Sequence, residues 1–274
     1  MNEHQKNDFH QISMDIILRK TRIQNLNFVF SSCPNQEEDI VVAYKFVKKL
    51  FYKVCSRSLL FCDENYGICD YPFLYSERQL DSIVLPAISE LSNGLVMAEY
   101  PVVRDSNLKG YEKEDSKGWI DYWCIHKDYS FVIEMKHSYD AFRTDTTKDE
   151  GLVKKWKYMN IGQLQDIRRQ VKHFEEKTKG LIRIGLHFVT PYSVRDGGMD
   201  YVVYYENKQK GILKRLSEDV SRSKPTKTTP NFLASWVLPQ EEIFFETPYK
   251  GTYPGLMLLG NISPAITHAG CLKK

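Results

Sequence analysis

The sequence predicts an α/β fold in which a central mixed sheet is flanked by helices. Two segments, 76–92 and 152–178, carry apolar residues at three- and four-residue spacing, which is the pattern of amphipathic helices. Four other segments are short and rich in β-branched and aromatic residues, as strands are: 94–104, 118–125, 130–136 and 181–189. Residues 76–190 therefore run in the order helix, three strands, helix, strand.

The first of these helices has clear sequence signals at both ends. Ser76 followed by Gln79 predicts a capping box, in which each side chain hydrogen-bonds the backbone of the other residue. Asn93 and Gly94 tolerate the left-handed backbone that commonly ends a helix. Pro86 lies inside the apolar pattern and is expected to kink the helix, because proline has no N–H to donate.

The strands 118–125 and 130–136 are expected to form a hairpin. A two-residue loop at Lys127-Asp128, or a four-residue loop around it, sets a register in which Asp121 lies opposite Glu134. Their Cβ atoms would then be about 4.5–5.5 Å apart. Glu134 and Lys136 share a face, because side chains alternate along a strand. The hairpin therefore brings two carboxylates and one amine together on an otherwise apolar sheet.

Two opposed carboxylates repel each other unless something neutralises them. A hard divalent cation is the obvious candidate, since carboxylate oxygens are the ligands that such ions prefer. The Lys136 ammonium could then orient a water molecule or stabilise charge that develops on a phosphate. The alternative is structural: Asp121 is a solvated edge residue, and Glu134 and Lys136 form an exposed pair along the strand.

Asp121, followed by Glu134-Met135-Lys136 in an apolar strand, resembles the D…(D/E)xK signature of the PD-(D/E)XK nuclease superfamily. The resemblance covers less than half of the chain and implies a restriction-endonuclease-like core of αβββαβ order. It also implies a Mg²⁺-dependent nuclease, with Mn²⁺ as a substitute, in which Asp121 and Glu134 hold the metal and Lys136 is catalytic. Ile120 stands where the family's usual proline would precede the aspartate.

Two further residues match positions that many superfamily members use. Glu77, in the first turn of the helix 76–92, is implied as a third metal ligand. The alternative for Glu77 is an acid that complements the helix dipole. Gln163, at the edge of the apolar face of the helix 152–178, is implied as a polar catalytic residue. A glutamine at the edge of a helix is otherwise an ordinary surface residue.

The outer face of the helix 152–178 is strongly basic. A row of cations is what binding to a polyanion backbone requires, and the habit of the superfamily favours DNA as the partner. The alternative is a solvated face whose charge is balanced by Glu175 and Glu176. The candidates for nucleic-acid binding are Lys154, Lys155, Arg168, Arg169 and Lys172.

The composition is that of an ordinary globular protein, and the net charge of +3 gives it no overall polybasic character. The six cysteines form no CxxC pair, so free thiols in a reducing cytoplasm are expected. No window reaches the length of a membrane span, and the first residues lack the apolar core of a signal peptide. These features predict a cytoplasmic protein with no membrane partner.

The predicted core occupies residues 74–192, between an N-terminal helical extension, 1–73, and a C-terminal extension of strands and a short helix, 193–274. The C-terminal strands could extend the sheet, or they could form a surface for a homodimer or for reading a target. By analogy with the family, a role in restriction or defence fits a nuclease with such extensions. The second functional class is a catalytically inactive nucleic-acid-binding or assembly protein with the same fold.

Overall fold

The computed structural model describes residues 9–18, 21–31, 37–63, 68–104, 116–141, 150–164, 178–192, 230–238 and 253–266, with residues 207 and 211. Over these ranges the protein is α/β, as predicted, with a mixed sheet between helices. The helices are α1 (Glu38–Ser58), α2 (Glu77–Leu91) and α3 (Glu150–Lys157). The strands are β1 (Phe9–Leu18), β2 (Thr21–Ser31), β3 (Cys62–Asp63), β4 (Ile68–Cys69), β5 (Val96–Arg104), β6 (Ser116–His126), β7 (Tyr129–Ala141), β8 (Leu181–Tyr192), β9 (Phe232–Val237) and β10 (Gly255–Ile262).

Eight of the strands form one sheet in the order β1-β2-β9-β10-β8-β7-β6-β5, and β3 pairs with β4 separately. β7 and β8 run parallel, whereas the other neighbours in the large sheet are antiparallel. A parallel pair needs a crossover connection, and α3 lies in the crossover between β7 and β8. The chain from α2 to β8 therefore follows the predicted order of helix, three antiparallel strands, helix and strand.

The sheet has a separate apolar core on each face. On one face, α1 and α2 pack against alternate residues of the central strands, and the rings of Phe46 and Phe131 stack with centroids 4.8 Å apart. On the other face, Trp156 of α3 is fully buried against Val132 and other strand residues. Burying a large apolar side chain completely stabilises a fold by about 1.5–3 kcal/mol. The two cores therefore fix α2 and α3 on opposite sides of β7.

The hairpin between β6 and β7 has the predicted two-residue loop. Lys127 and Asp128 have φ angles of 47° and 66°, which is the left-handed conformation of a type I′ hairpin turn. Pairing runs from His126↔Tyr129 to Tyr122↔Ile133 in the predicted register. The ends of α2 are also as predicted, because Ser76 N–H donates to Gln79 Oε1 at 3.3 Å and Gly94 has a φ of 84°.

Both ends of the chain contribute more to the sheet than the sequence indicated. β1 and β2 precede α1, so the segment 1–73 is not only helical. β9 and β10 lie between β2 and β8, so the C-terminal strands extend the sheet. The short helix that was expected in the C-terminal extension is not tested, because residues 193–229 and 239–252 lie outside the described residues apart from residues 207 and 211.

The predicted helix 152–178 begins earlier and changes its winding. It starts at Glu150 and is α-helical to Lys157, after which Tyr158–Gln163 is a π-helix. Single π-helical turns are uncommon and often occur at functional sites. Residues 165–177 lie outside the described ranges, so the second half of the prediction is not tested.

The expectation that every thiol is free is wrong for Cys62, which is disulfide-bonded. Cys62 lies opposite Cys69 in the β3–β4 ladder, a proximity that the spacing of the cysteines did not reveal. Cys55 and Cys124 are free and buried. None of the helices that the structure describes is both long enough and apolar enough to span a bilayer.

Candidate active site

The predicted carboxylates and Lys136 converge where β6 ceases to pair with β7. Lys136 Nζ lies 3.7 Å from Glu77 Oε1, 3.5 Å from Asp121 Oδ2 and 3.9 Å from Glu134 Oε2. The three acids come from three elements, namely α2, β6 and β7. The structure therefore brings together four of the residues that the sequence nominated, and places a cationic atom among three carboxylates.

The predicted cross-strand pair of Asp121 and Glu134 is not formed, because the β6–β7 ladder stops one residue before Asp121. The last backbone pair is Tyr122↔Ile133, and beyond it Asp121 Oδ2 accepts a hydrogen bond from Met135 N–H at 2.6 Å. A side-chain carboxylate thus replaces the backbone carbonyl that a continuing strand would offer. This bond fixes the carboxylate beside Lys136.

β6 is irregular at the same residue. Ile120 packs in the core under α3, whereas Tyr122 packs in the core under α2, although residues two apart share a face in a regular strand. The β5–β6 ladder passes from Ala98↔Tyr122 to Tyr100↔Ile120 without pairing Glu99 to Asp121. Glu99 has a φ of 49°, which costs a residue with a side chain roughly 1–2 kcal/mol. The backbone around Asp121 is therefore distorted on both neighbouring strands.

Glu77 lies in the first turn of α2, where its backbone is set by the capping box of Ser76. Its Oε2 accepts a hydrogen bond from His137 N–H at 3.2 Å. Burial raises the pKa of the Glu77 carboxyl, the charge of Lys136 lowers it, and Asp121 raises it again. Glu77 is therefore held by β7 and is electrostatically part of the site.

Glu134 is the most deeply placed of the three acids, with no exposed surface. It shares the α3-facing side of β7 with Val132, because side chains alternate along the strand. In the sheet it lies beside Gly185 of β8. The ammonium of Lys136, whose side chain is 14% exposed, is 3.9 Å away. The structure therefore excludes the reading of Glu134 as an exposed strand residue.

Of the two predicted nucleic-acid-binding residues that the structure describes, Lys155 contacts the site. Its Nζ donates a hydrogen bond to His137 O at 2.6 Å, while Lys136 Nζ donates to Met135 O at 2.7 Å. Lys154 is exposed on the same helix. Three other predicted residues lie outside the described ranges: Arg168, Arg169 and Lys172.

These contacts define what we call the open edge of β7, meaning the backbone N–H and C=O groups of Met135 and His137. The open edge lies beyond the last residue of β7 that pairs with β6. All four of its groups bond to charged side chains in place of a strand: Asp121, Lys136, Glu77 and Lys155. Unpaired backbone groups at a sheet edge are costly when buried, so these side chains also complete the fold there.

Gln163 is at the end of the π-helix and is buried, with 8% of its surface exposed. Its Oε1 is buried without a hydrogen-bond partner among the described residues. The π-helix approaches β8 closely at Gly185, where an added Cβ would lie 2.9 Å from Asn160 Oδ1. The structure thus buries Gln163 at the end of the π-helix that follows α3 and shows no hydrogen bond from it to Lys136.

Two buried histidines lie next to the site, and neither was proposed as a site residue from the sequence. His137 Nε2 is 2.9 Å from Thr190 Oγ1, and His187 Nε2 is 2.8 Å from Ser138 Oγ. Burial, followed by the nearby charge of Lys155, lowers the pKa of His137 to about 4. Burial is also the main cause that lowers the pKa of His187 to about 3. Both rings are therefore neutral at pH 7.

Asp81, one turn after Glu77 on α2, is a further acid that the sequence did not single out. It accepts a hydrogen bond from the hydroxyl of Tyr122, which is almost fully buried. Burial raises the pKa of Asp81, and the neighbouring Asp121 raises it further. The sequence feature that could have identified Asp81 is that an acid interrupts the apolar face of the helix at this position.

The donor set at Lys136 is suited to a hard cation. Glu77, Asp121 and Glu134 offer carboxylate oxygens, which Mg²⁺ and Mn²⁺ prefer, and they already surround one positive atom. Among the described residues, no three His, Cys, Asp or Glu side chains are arranged to hold a metal directly. A divalent ion would therefore have to take the position that Lys136 Nζ now shares with the carboxylates.

Comparisons of the chain with protein-family models, curated proteins and solved structures find no match. The function is therefore inferred from the residues and geometry of this chain.

Proposed function

We propose that the protein is a metal-dependent nuclease that hydrolyses phosphodiester bonds, with DNA as its substrate. The observation that carries the proposal is the convergence of Glu77, Asp121 and Glu134 on Lys136 Nζ at 3.5–3.9 Å. The order of helices and strands from α2 to β8 also fits the core that the PD-(D/E)XK resemblance implies.

In this proposal, Glu77, Asp121 and Glu134 hold Mg²⁺ or Mn²⁺. The bound ion would supply a water molecule of lowered pKa and neutralise negative charge on the phosphate. Asp121 and Glu77 are pre-positioned for this role by their bonds to β7, which limits the reorganisation that binding requires.

Lys136 is the proposed catalytic cation. When it leaves the carboxylates it can donate hydrogen bonds to a phosphate oxygen and stabilise the charge that develops there, because an ammonium carries three donors. Gln163 is proposed to accept a hydrogen bond from a water molecule through its buried Oε1. Lys154 and Lys155, with Arg168, Arg169 and Lys172, are proposed to contact the nucleic-acid backbone.

A second candidate is a catalytically inactive nucleic-acid-binding or assembly protein. The observation in its favour is that Lys136 already lies among the three carboxylates as a structural cation would. In that case the site is a closed ion-pair cluster, and added metal changes nothing. Participation in restriction or defence and formation of a homodimer are compatible with either candidate and stay predictions.

The test is cleavage of supercoiled plasmid DNA, with a structured RNA as a parallel substrate. Wild-type protein is incubated with Mg²⁺, with Mn²⁺ or with EDTA, beside Asp121→Asn, Glu134→Gln and Lys136→Ala prepared identically. If the protein is a metal-dependent nuclease, the wild type nicks the plasmid with Mg²⁺ or Mn²⁺ but not with EDTA, and the three variants do not nick it. Absence of cleavage with either metal would reject the nuclease, and equal cleavage by the variants would show a contaminant.

A further inference from the structure

Lys155 places its charge at the open edge of β7. Lys154 and Lys155 are both exposed residues of α3, and the ammonium of Lys155 caps the open edge at His137 O. The carbonyl of Met135, two residues earlier, is capped by Lys136. Two residues of a strand span roughly 6–7 Å. The open edge therefore presents two ammonium groups, with Glu77 bonded between them and Asp121 bonded just before Lys136.

The charge of Lys155 also reaches into the site. Burial is the largest cause of the lowered pKa of His137, and the charge of Lys155 is the next. For Glu77, whose pKa burial raises, the charge of Lys155 acts in the opposite direction. These directions agree with an ammonium near the Glu77 carboxylate, although Lys155 belongs to the helix on the far side of the sheet from α2.

The bond that now holds Lys155 is one that a substrate can replace. Its acceptor is a neutral carbonyl, whereas a phosphate oxygen carries negative charge and adds Coulomb attraction for the ammonium. A phosphate that approaches the open edge would therefore compete well for the ammonium. Since Lys136 is the cation nearest the carboxylates, it would contact the scissile phosphate. Lys155 would then contact the next phosphate of the nucleic acid.

We propose that Lys155 is a specificity-determining residue that binds the phosphate next to the scissile one, so that the site selects a nucleotide chain over an isolated phosphodiester. The inference rests on the proposed nuclease function and deepens it by naming the substrate class. It also assigns Lys155 to the site and separates it from the general basic surface of the helix.

The test uses Lys155→Met, which removes the charge and keeps most of the apolar stem. The matched control is Lys45→Met, an equal loss of charge at an exposed position of α1 on the other face of the sheet. Binding of a fluorescent oligonucleotide is measured in the Asp121→Asn background, so that the ligand is not consumed. Melting temperatures of all variants are recorded, so that binding is measured only on folded protein.

One phosphate contact contributes about 0.9 to the slope of log affinity against log salt on duplex DNA. Lys155→Met should therefore reduce that slope by about 0.9 and weaken binding about eightfold at 0.1 M salt relative to 1 M salt. Lys155→Arg should restore both quantities. A Lys155→Met protein with the same affinity and slope as Lys45→Met would overturn the inference, and so would a wild type that binds no oligonucleotide.

Cleavage supplies a second readout that a purely structural role would not produce. Lys155→Met should lower kcat/KM on an oligonucleotide about tenfold more than on bis(p-nitrophenyl) phosphate, which has a single phosphate. An equal loss on both substrates would overturn the inference. If the wild type cleaves neither substrate with metal, the nuclease proposal fails by itself, and the salt dependence of binding still decides the role of Lys155.

Discussion

Glu77 and Lys155 hold the same residue of β7 from opposite layers of the molecule. Glu77, on α2, accepts the N–H of His137, and Lys155, on α3, donates to the C=O of His137. The two helices lie on opposite faces of the sheet, so this contact is possible only where β6 has ceased to pair with β7. The gap between the two strands is therefore what exposes the open edge and assembles the site there.

The bond from Met135 N–H to Asp121 predicts a difference between two substitutions of the aspartate. Asn keeps an oxygen that can accept this hydrogen bond and removes one repelling charge, so Asp121→Asn should leave metal-free stability unchanged or slightly raised. Asp121→Ala leaves the backbone donor without its partner, which costs about 1–3 kcal/mol. Urea unfolding in EDTA measures both, and equal stabilities for the two variants would contradict the assigned role of Asp121.

Lys136→Met should abolish cleavage and retain or strengthen binding of Mg²⁺. The reason is that Lys136 lies among all three proposed metal ligands, so removing its charge relieves competition for their oxygens. Isothermal titration with MgCl₂ measures the affinity, with Lys45→Met as the control for loss of a lysine elsewhere. Loss of Mg²⁺ binding in Lys136→Met alone would show that the lysine organises the carboxylates and does not compete with the ion.

The buried histidines predict that the protein loses stability as the pH falls below about 6.5. The pKa of His137 is lowered to about 4 and that of His187 to about 3, from an ordinary value of 6.5. The unfolded chain therefore takes up protons before the folded one does, and each histidine costs about 2 kcal/mol at pH 5. The carboxyls of Glu77 and Asp81, whose pKa values burial raises, act in the opposite direction at lower pH.

Urea unfolding at intervals between pH 7 and pH 4 measures this dependence. His187→Gln should reduce the slope of unfolding free energy against pH by about one proton, whatever its effect on stability at pH 7. A slope that is unchanged in this variant would mean that His187 is protonated in the folded protein.

The hairpin and α2 could be predicted from sequence because their signals are local. The loop at Lys127-Asp128 sets the register, and Ser76 with Gln79 marks the start of the helix, so each feature depends on residues close together in the chain. The face shared by Glu134 and Lys136 follows from the alternation of a strand. These local rules predicted that Asp121, Glu134 and Lys136 lie close together, although Asp121 is held there by Met135 N–H and not as a cross-strand partner of Glu134.

The features that the sequence did not reveal depend on contacts distant along the chain. The ladder stops at Tyr122 because the carboxylate of Asp121, instead of the backbone, bonds to Met135. No periodic pattern in the sequence indicates that a side-chain carboxylate replaces the backbone acceptor at this position. The contact of Lys155 with His137 and the placement of β9 beside β2 likewise join segments whose pairing is decided by the completed sheet.

Gly185→Ala is expected to destabilise the protein by about 1–3 kcal/mol, because overpacking a buried site forces its neighbours to move. An added Cβ would lie 2.9 Å from Asn160 Oδ1, 3.0 Å from Met159 Cε and 3.1 Å from Leu164 Cδ1. These three atoms belong to side chains, which would have to move within a buried part of the protein.

Gly162→Ala is the matched control for this packing effect, since the added Cβ would be 3.4 Å from the Tyr158 ring, an ordinary contact. Thermal unfolding of the two variants compares them directly. A Gly185→Ala protein as stable as Gly162→Ala would show that the π-helix is not held closely against β8.

The most direct test of the proposed metal site is the melting temperature of the metal-free protein with and without MgCl₂, measured beside Glu134→Gln. An ion bound at about 100 times its dissociation constant stabilises the folded state by about 2.7 kcal/mol, which raises the melting temperature of a chain of this size by roughly 5–10 °C. If Glu77, Asp121 and Glu134 bind Mg²⁺, the melting temperature of the wild type rises by this amount and that of Glu134→Gln rises much less. A wild type whose melting temperature is indifferent to Mg²⁺, or a variant that responds equally, would contradict it.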